Sequence, residues 1–267
     1  IDGDALTYSA SSDTSAVGLT ISSDTLKLDP ALNYTGTATI TVIVSDNKLT
    51  DTTSFTFKVI NVNDAPVIAA VSDVIFAEDT SGSLVLSAND IDGDVLTYSA
   101  KSSSADVAAT VSKDTLTLTP AANWNGTSTI TAYASDGTLK DSTTFTLSVT
   151  AVNDAPVITA VANDSTKEET EKALKLNTTD IDGDALTYSA SSDTSAVGLT
   201  ISSDTLKLDP ALNYTGTAKI TVIVSDNKLT DTTSFTFKVI NVNDAPVMTA
   251  VANDTTSEDS DGKAVIL

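Results

Sequence analysis

Residues 115–119 read TLTLT. Leucine and threonine alternate with a period of two, which puts Leu116 and Leu118 on one face of an extended strand and the threonines on the other. Threonine is β-branched, so it favours extended backbone while keeping the outward face soluble. The same alternation recurs on both sides of this stretch. STITAYA at 128–134 turns Ile130, Ala132 and Ala134 inward, and TTFTLSV at 143–149 does so with Phe145, Leu147 and Val149. Upstream, SLVLSA at 83–88 and VLTYSA at 95–100 read as strands, with VIAAV at 67–71 and VIF at 74–76 as a broken edge strand. No segment shows a helical period. About seven short strands in a stretch of this length predict an all-β fold, a Greek-key, seven-stranded β-sandwich without a disulfide.

The chain repeats this unit. VNDAPV stands at 62–67, 152–157 and 242–247, so that Asn63, Asn153 and Asn243 are 90 residues apart. IDGD begins at Ile1, Ile91 and Ile181 with the same spacing. Residues 181–247 copy residues 1–67 with one change, Thr39 to Lys219, whereas the middle repeat is more distant. The duplicated unit is therefore a pair of repeats, as in an array that grew by recent duplication. Pro66, Pro156 and Pro246 follow each Asn-Asp and suit a stiff, extended linker. A cut at Asp-Ala gives complete modules at 65–154 and 155–244. Residues 1–64 form a module without its first strands, and residues 245–267 are the first strands of a further repeat. The expected architecture is an elongated tandem array, of which this chain is a window.

Composition narrows the chemistry. The chain has 36 acidic and 14 basic residues and a net charge of −22, with no His and no Cys. All of its basic residues are Lys. Common general bases, thiol nucleophiles and zinc ligands are missing. A strongly negative chain without Arg is a poor partner for nucleic acid. No apolar run reaches the length of a membrane span. An acidic, threonine-rich chain without disulfides points to the bacterial exterior, at the cell surface.

The acidic residues fall in particular places. In the middle module they gather at Glu78-Asp79, in DIDGD as Asp90, Asp92 and Asp94, at Asp136 in Ser-Asp-Gly, and at Asp154 in the outgoing linker. The topology of such a sandwich brings the DIDGD and Ser-Asp-Gly loops to one end, where the incoming Asn63-Asp64 also enters. Carboxylates crowded together repel and raise one another's pKa. A divalent cation removes that cost, and Ca²⁺ accepts carboxylate, amide and carbonyl oxygens alike. Oxygen donors without His or Cys favour Ca²⁺ over zinc or copper.

These motifs resemble those of a known family. VNDAP is similar to the DxNDxxP inter-domain linker of cadherins, DIDGD to their DxD motif and Ser-Asp-Gly to their xDxG motif. Glu78 of AED stands where cadherins place an early glutamate. The unit with EDT, DIDGDxLTYS, LTPxxNxNG, SDG and VNDAP in order resembles the cadherin-like, immunoglobulin-type tandem repeats of large bacterial surface adhesins, over the whole chain. The resemblance implies Ca²⁺ ligands at each junction. Ahead of the middle module these are Asn63, Asp64, Asp90, Asp92 and Asp136. At the next they are Glu78, Asn153, Asp154, Asp180, Asp182 and Asp226. A third junction begins with Glu168, Asn243 and Asp244 but has no following DIDGD loop, and Asp2, Asp4 and Asp46 are half of an earlier one. Asp94 and Asp184 either point to solvent or cap the turn. The chain also departs from the family: Asn61, Ala151 and Asn241 replace the first Asp of the cadherin linker, and Ala31, Ala121 and Ala211 a further glutamate. Fewer ligands imply one or two ions per junction and an affinity of about 10⁻⁴ to 10⁻³ M.

Plainer readings stand beside these. Asp-rich loops often serve as turns, since Asp bonds its own backbone. Trp124, with Tyr34 and Tyr214 at the matching positions, either packs beneath the Asn-Gly loop or offers a platform to a sugar. The expected function is a Ca²⁺-stiffened extender, or stalk, of a secreted bacterial adhesin that projects a distal binding domain; it is not an enzyme. Its partners are neighbouring repeats and, by a second reading, other copies of itself. In that reading the chain is a filament or surface-layer subunit completed by strand donation. A third reading is an accessory polysaccharide-binding segment of a secreted enzyme.

Overall fold

The computed structural model describes residues 3–258, 261, 264 and 265, and Asp2 therefore lies outside the described residues. The described elements are all strands. They fall into two compact units, Ile1–Ala151 and Val152–Leu267.

The first unit opens with β1 (Thr7–Ser12), β2 (Val17–Ser22), β3 (Thr25–Pro30), β4 (Gly36–Ser45) and β5 (Thr50–Val59). These form one sheet in the order β1-β4-β5 and a hairpin of β2 and β3. Nine more strands follow: β6 (Val67–Ile68), β7 (Val74–Ala77), β8 (Gly82–Val85), β9 (Ala88–Asn89), β10 (Thr97–Ser102), β11 (Val107–Ser112), β12 (Thr115–Pro120), β13 (Gly126–Ser135) and β14 (Lys140–Thr150). Seven of them build a four-stranded sheet, β10-β13-β14-β7, and a three-stranded sheet, β11-β12-β8, while β6 and β9 pair as a short ribbon. All these pairings are antiparallel except that of β7 with β14.

The alternation read from the sequence sets the core. Leu116, Leu118, Ile130, Ala132, Ala134 and Leu147 are fully buried, and Phe145 and Val149 nearly so. Trp124 is partly buried and packs against this core, as the packing reading of that residue requires. One strand is not predicted by the sequence. VAATVS in β11 offers mostly small side chains, and its pairing with β12 is what defines it.

In the first five strands the core is thinner. Strands corresponding to β7 and β8 are not among the described residues before β1, so β5 and β3 each have one neighbour. Phe55 of β5 is 42% exposed, whereas Phe145 at the matching place in β14 is 4% exposed.

The second unit repeats the nine-strand pattern with β15 (Val157–Ile158), β16 (Asp164–Lys167), β17 (Lys172–Lys175), β18 (Thr178–Thr179), β19 (Thr187–Ser192), β20 (Val197–Ser202), β21 (Thr205–Pro210), β22 (Gly216–Ser225) and β23 (Thr230–Ile240). Its sheets run β16-β23-β22-β19 and β17-β21-β20, with β15 paired to β18. Phe237, Leu206, Leu208 and Ile220 form the centre of its core. Beyond β23 the described residues form no strand and are exposed.

Candidate metal centre

In the first unit the DIDGD loop leaves β9 and wraps around the side chain of Asp90. The Asp90 Oδ1 accepts the backbone N–H of Asp92 at 2.9 Å and of Asp94 at 3.4 Å. Gly93 donates its N–H to the Asp90 carbonyl at 3.4 Å. Its φ is +78°, in the left-handed region that glycine adopts at little cost. This is the Asx-turn chemistry expected of Asp in a tight loop.

Asp136 lies in the loop joining β13 to β14. Its Oδ1 accepts the N–H groups of Thr138 and Leu139, each at 2.6 Å. The linker enters here. The Asn63 amide donates to Asp136 Oδ2 at 2.8 Å, and the Asp64 N–H donates to Asp92 Oδ2 at 2.7 Å. Pro66 is buried just beyond, and the N–H of Ile68 donates to Asp141 Oδ2 at 3.0 Å. The structure thus brings together Asn63, Asp64, Asp90, Asp92 and Asp136, residues up to 73 apart in sequence.

The second unit builds the same arrangement. Asn153 donates to Asp226 Oδ2 at 2.7 Å and the Asp154 N–H to Asp182 Oδ2 at 2.8 Å. Asp180 Oδ1 accepts the N–H of Asp184 at 3.1 Å. Asp226 Oδ1 accepts from Lys228 and Leu229, again at 2.6 Å each, and the Ile158 N–H reaches Asp231 Oδ2 at 2.9 Å.

In both units one oxygen is left over. Asp90 Oδ2 and Asp180 Oδ2 are buried and accept no hydrogen bond. A buried carboxylate oxygen without a partner is costly, and a cation or water is the usual remedy. Carboxylate oxygens of Asp90, Asp92 and Asp94 also lie within 4.8 Å of one another. An all-oxygen donor set of this kind fits a hard cation such as Ca²⁺.

The fixed charges are stabilised by the linker. Asp136 titrates below its ordinary 3.8 because the Asn63 amide, and then the N–H groups of Thr138 and Leu139, donate to its charged form. Asp226 is lowered in the same way, first by the Asn153 amide and then by Leu229, with Lys228 adding to the effect.

The remaining candidates are placed differently. Glu78 is buried, its N–H donating to the Thr150 carbonyl and its Oε2 accepting the Asn125 amide at 3.4 Å. Glu168 is buried too, and its Oε1 accepts the Asn241 amide at 3.2 Å and the N–H of Val242. Asn243 and Asp244 are exposed, and the Asn243 amide donates to the Asp244 carbonyl at 3.3 Å. Asp46 accepts the N–H groups of Lys48 and Leu49, while Asp4 lies 3.5 Å from the Lys48 ammonium.

One group that the sequence reading overlooks is a lysine. The Lys228 Nζ donates to Asn153 Oδ1 at 2.6 Å and lies 3.4 Å from Asp184 Oδ2. The signal was present in the loop, since SDNKLT at 225–230 differs from SDGTLK at 135–140.

Comparison with known proteins agrees with this architecture. A protocadherin fragment, PcdhgB3 EC1-4, is 17% identical over 89% of this chain and 67% of its own, with a TM-score of 0.51. The human desmocollin-1 ectodomain is 12% identical, over 91% of this chain and 55% of its own, with a TM-score of 0.47. An endo-fucoidan hydrolase of glycoside hydrolase family 107 is 22% identical over 90% of this chain, with a TM-score of 0.33, and the chain spans only 39% of its length. At 17% identity the likeness to the protocadherin fragment shows the fold alone, that of tandem cadherin-like sandwiches. No curated protein sequence matches the chain. Among the described residues, no helix is long and apolar enough to cross a membrane. The model of the bacterial Ig domain family matches residues 63–150 and 153–238, more than half of the sequence, and the chain therefore belongs to that family as two tandem copies.

Proposed function

We propose that this chain is a Ca²⁺-stiffened extender segment of a secreted bacterial surface adhesin. Its modules run from 65 to 154 and from 155 to 244, with partial modules at 1–64 and 245–267. The observation that carries the reading is the buried, unpartnered Asp90 Oδ2 beside a linker already bonded to both neighbouring loops, an arrangement repeated at Asp180. Asn63, Asp64, Asp90, Asp92 and Asp136 would hold the ion in the first unit, and Asn153, Asp154, Asp180, Asp182 and Asp226 in the second. Glu78 and Glu168, with Asn243 and Asp244, are assigned to neighbouring junctions on sequence grounds.

The bound ion supplies positive charge that offsets carboxylate repulsion and joins linker to loops. The chain's own residues do the rest. Asn63 and the Asp64 N–H hold the linker against the loops, and the Asp90 side chain keeps DIDGD wound. Ordering a linker costs conformational entropy for every residue fixed, so a joint that orders it must gain contacts in return. Coordination of a cation by these residues would be that gain, and it would hold the linker as a stiff joint. No catalytic role is assigned, since both carboxylate clusters serve as linker anchors.

Small-angle scattering tests this directly. In millimolar Ca²⁺ the chain is expected to give a longer maximum dimension and a stiffer profile than in chelator. Asp90→Ala with Asp92→Ala should abolish the difference at the first junction. An identical profile in both conditions would sink the reading and leave the carboxylates as turn formers.

A further inference from the structure

We propose that the lysine of the SDNKL loop is a tethered counter-ion that lowers the Ca²⁺ affinity of its own joint. The inference rests on the Ca²⁺ reading above. Three observations lead to it. First, the Lys228 ammonium sits on Asn153 Oδ1 at 2.6 Å and beside Asp184 Oδ2 at 3.4 Å, so a positive charge already occupies an amide oxygen that a metal ion would take. Second, the contact is reproduced in the partial first module, where Lys48 lies 3.5 Å from Asp4, the residue matching Asp184. Third, the joint formed by Asn63, Asp90, Asp92 and Asp136 has Thr138 in place of that lysine. Its hairpin keeps a lysine, but two residues further on. Lys140 lies over the ring of Tyr133, 5.2 Å from its centroid, where Lys228 lies against the linker.

The physics gives the sign. The Lys228 ammonium faces Asn153 and Asp184, and the Lys228 backbone N–H bonds Asp226, so candidate or neighbouring ligands surround the residue. Ca²⁺ binding there must displace the ammonium from Asn153 and then tolerate its charge nearby. Thr138 brings no ammonium to the first joint, while Asp90 Oδ2 and Asp180 Oδ2 are unpartnered alike, so the lysine competes for the Asn153 oxygen and not for the orphaned one. For partly exposed charges a few ångströms apart, the screened interaction is sufficient for about a tenfold change in affinity. Because residues 181–247 nearly duplicate residues 1–67, joints with lysine and joints with threonine alternate along the repeat.

Two glycines report the joints separately. Gly93 and Gly183 lie in the two DIDGD loops, so their backbone amide resonances can be followed by NMR as CaCl₂ is added to the 267-residue chain. Each midpoint is compared between the parent chain and single variants. Lys228→Thr, which borrows the residue of the sister repeat, should lower the Gly183 midpoint about tenfold and leave that of Gly93 unchanged. Lys228→Met, which removes the charge but keeps the bulk, should do the same. Thr138→Lys should raise the Gly93 midpoint. Lys228 is on the surface, so these changes leave the core alone. If both glycines titrate but neither midpoint responds to position 228 or 138, the counter-ion inference is overturned while the Ca²⁺ reading stands. If neither glycine responds to Ca²⁺ at all, both fall together.

Discussion

At the scale of single residues, each Asp of the joint has a separate task, although in sequence they look alike. Asp90 winds its own loop, Asp136 receives the linker amide, and Asp92 receives the linker N–H. The pH dependence follows. Asp136 and Asp226 have folded-state pKa values below the ordinary 3.8, so their contacts stabilise the fold at neutral pH and are lost only as pH falls through the lowered value. In calcium-free buffer, the amide protons of Thr138 and Leu229 should therefore shift with midpoints below 3.8, and a midpoint above it would mean that the linker amides do not hold these carboxylates. A second residue-scale case is Gly82. A Cβ there would strike the ring of Phe76, while the second unit has Thr166 and Lys172 at the matching positions. Gly82→Ala should destabilise its module by about 1–3 kcal/mol through overpacking. Chemical denaturation would register this, and Phe76→Thr combined with it should restore much of the loss.

Among the elements, the strands with strict alternation are the ones the sequence predicts well. TLTLT becomes β12, and STITAYA and TTFTLSV become the centres of β13 and β14. β11 is not legible because alanine satisfies either face and its strand character comes from hydrogen bonds to β12. The broken edge strand also acquires a structure that periodicity does not encode. Val74–Ala77 pairs in parallel with β14, and Thr146 donates its N–H to Asp73 at 2.6 Å to fix that entry. The second unit uses Asn163 for the same bond to Thr236 at 2.8 Å. Among the described residues β5 has no such neighbour, and its Phe55 is exposed where Phe145 is not. Local stability follows buried apolar contact and paired backbone. Amide hydrogens of β4 and β5 should thus exchange faster than those of β13 and β14 under native conditions. Equal protection in mass-spectrometric exchange would show that β1 to β5 are as stable as the fuller sheets.

For the whole molecule, the cores and the joints are physically separate. Leu116, Leu147 and Ile130 in one unit, and Leu206, Phe237 and Ile220 in the other, are buried without any contribution from the acidic loops. Chelation should accordingly leave the far-UV circular dichroism of the chain almost unchanged while altering its scattering profile. Collapse of the β signal in chelator would mean that the ion builds the modules themselves. The sequence by itself determined the sandwich and its repetition, and it singled out Asn63, Asp64, Asp92 and Asp136, with Asn153, Asp154, Asp182 and Asp226, which the structure hydrogen-bonds together. It could do so because strand alternation is local and because motifs recurring at a fixed spacing reveal their common purpose. Only the tertiary structure decided which oxygens remain. Asp90 Oδ1 is consumed by its own loop while Asp90 Oδ2 is buried without a partner, and Lys228 reaches Asn153 across 75 residues. Those outcomes depend on sheet pairing that brings distant loops to one end of a sandwich, and on competition among donors for the same oxygens, neither of which a one-dimensional pattern contains.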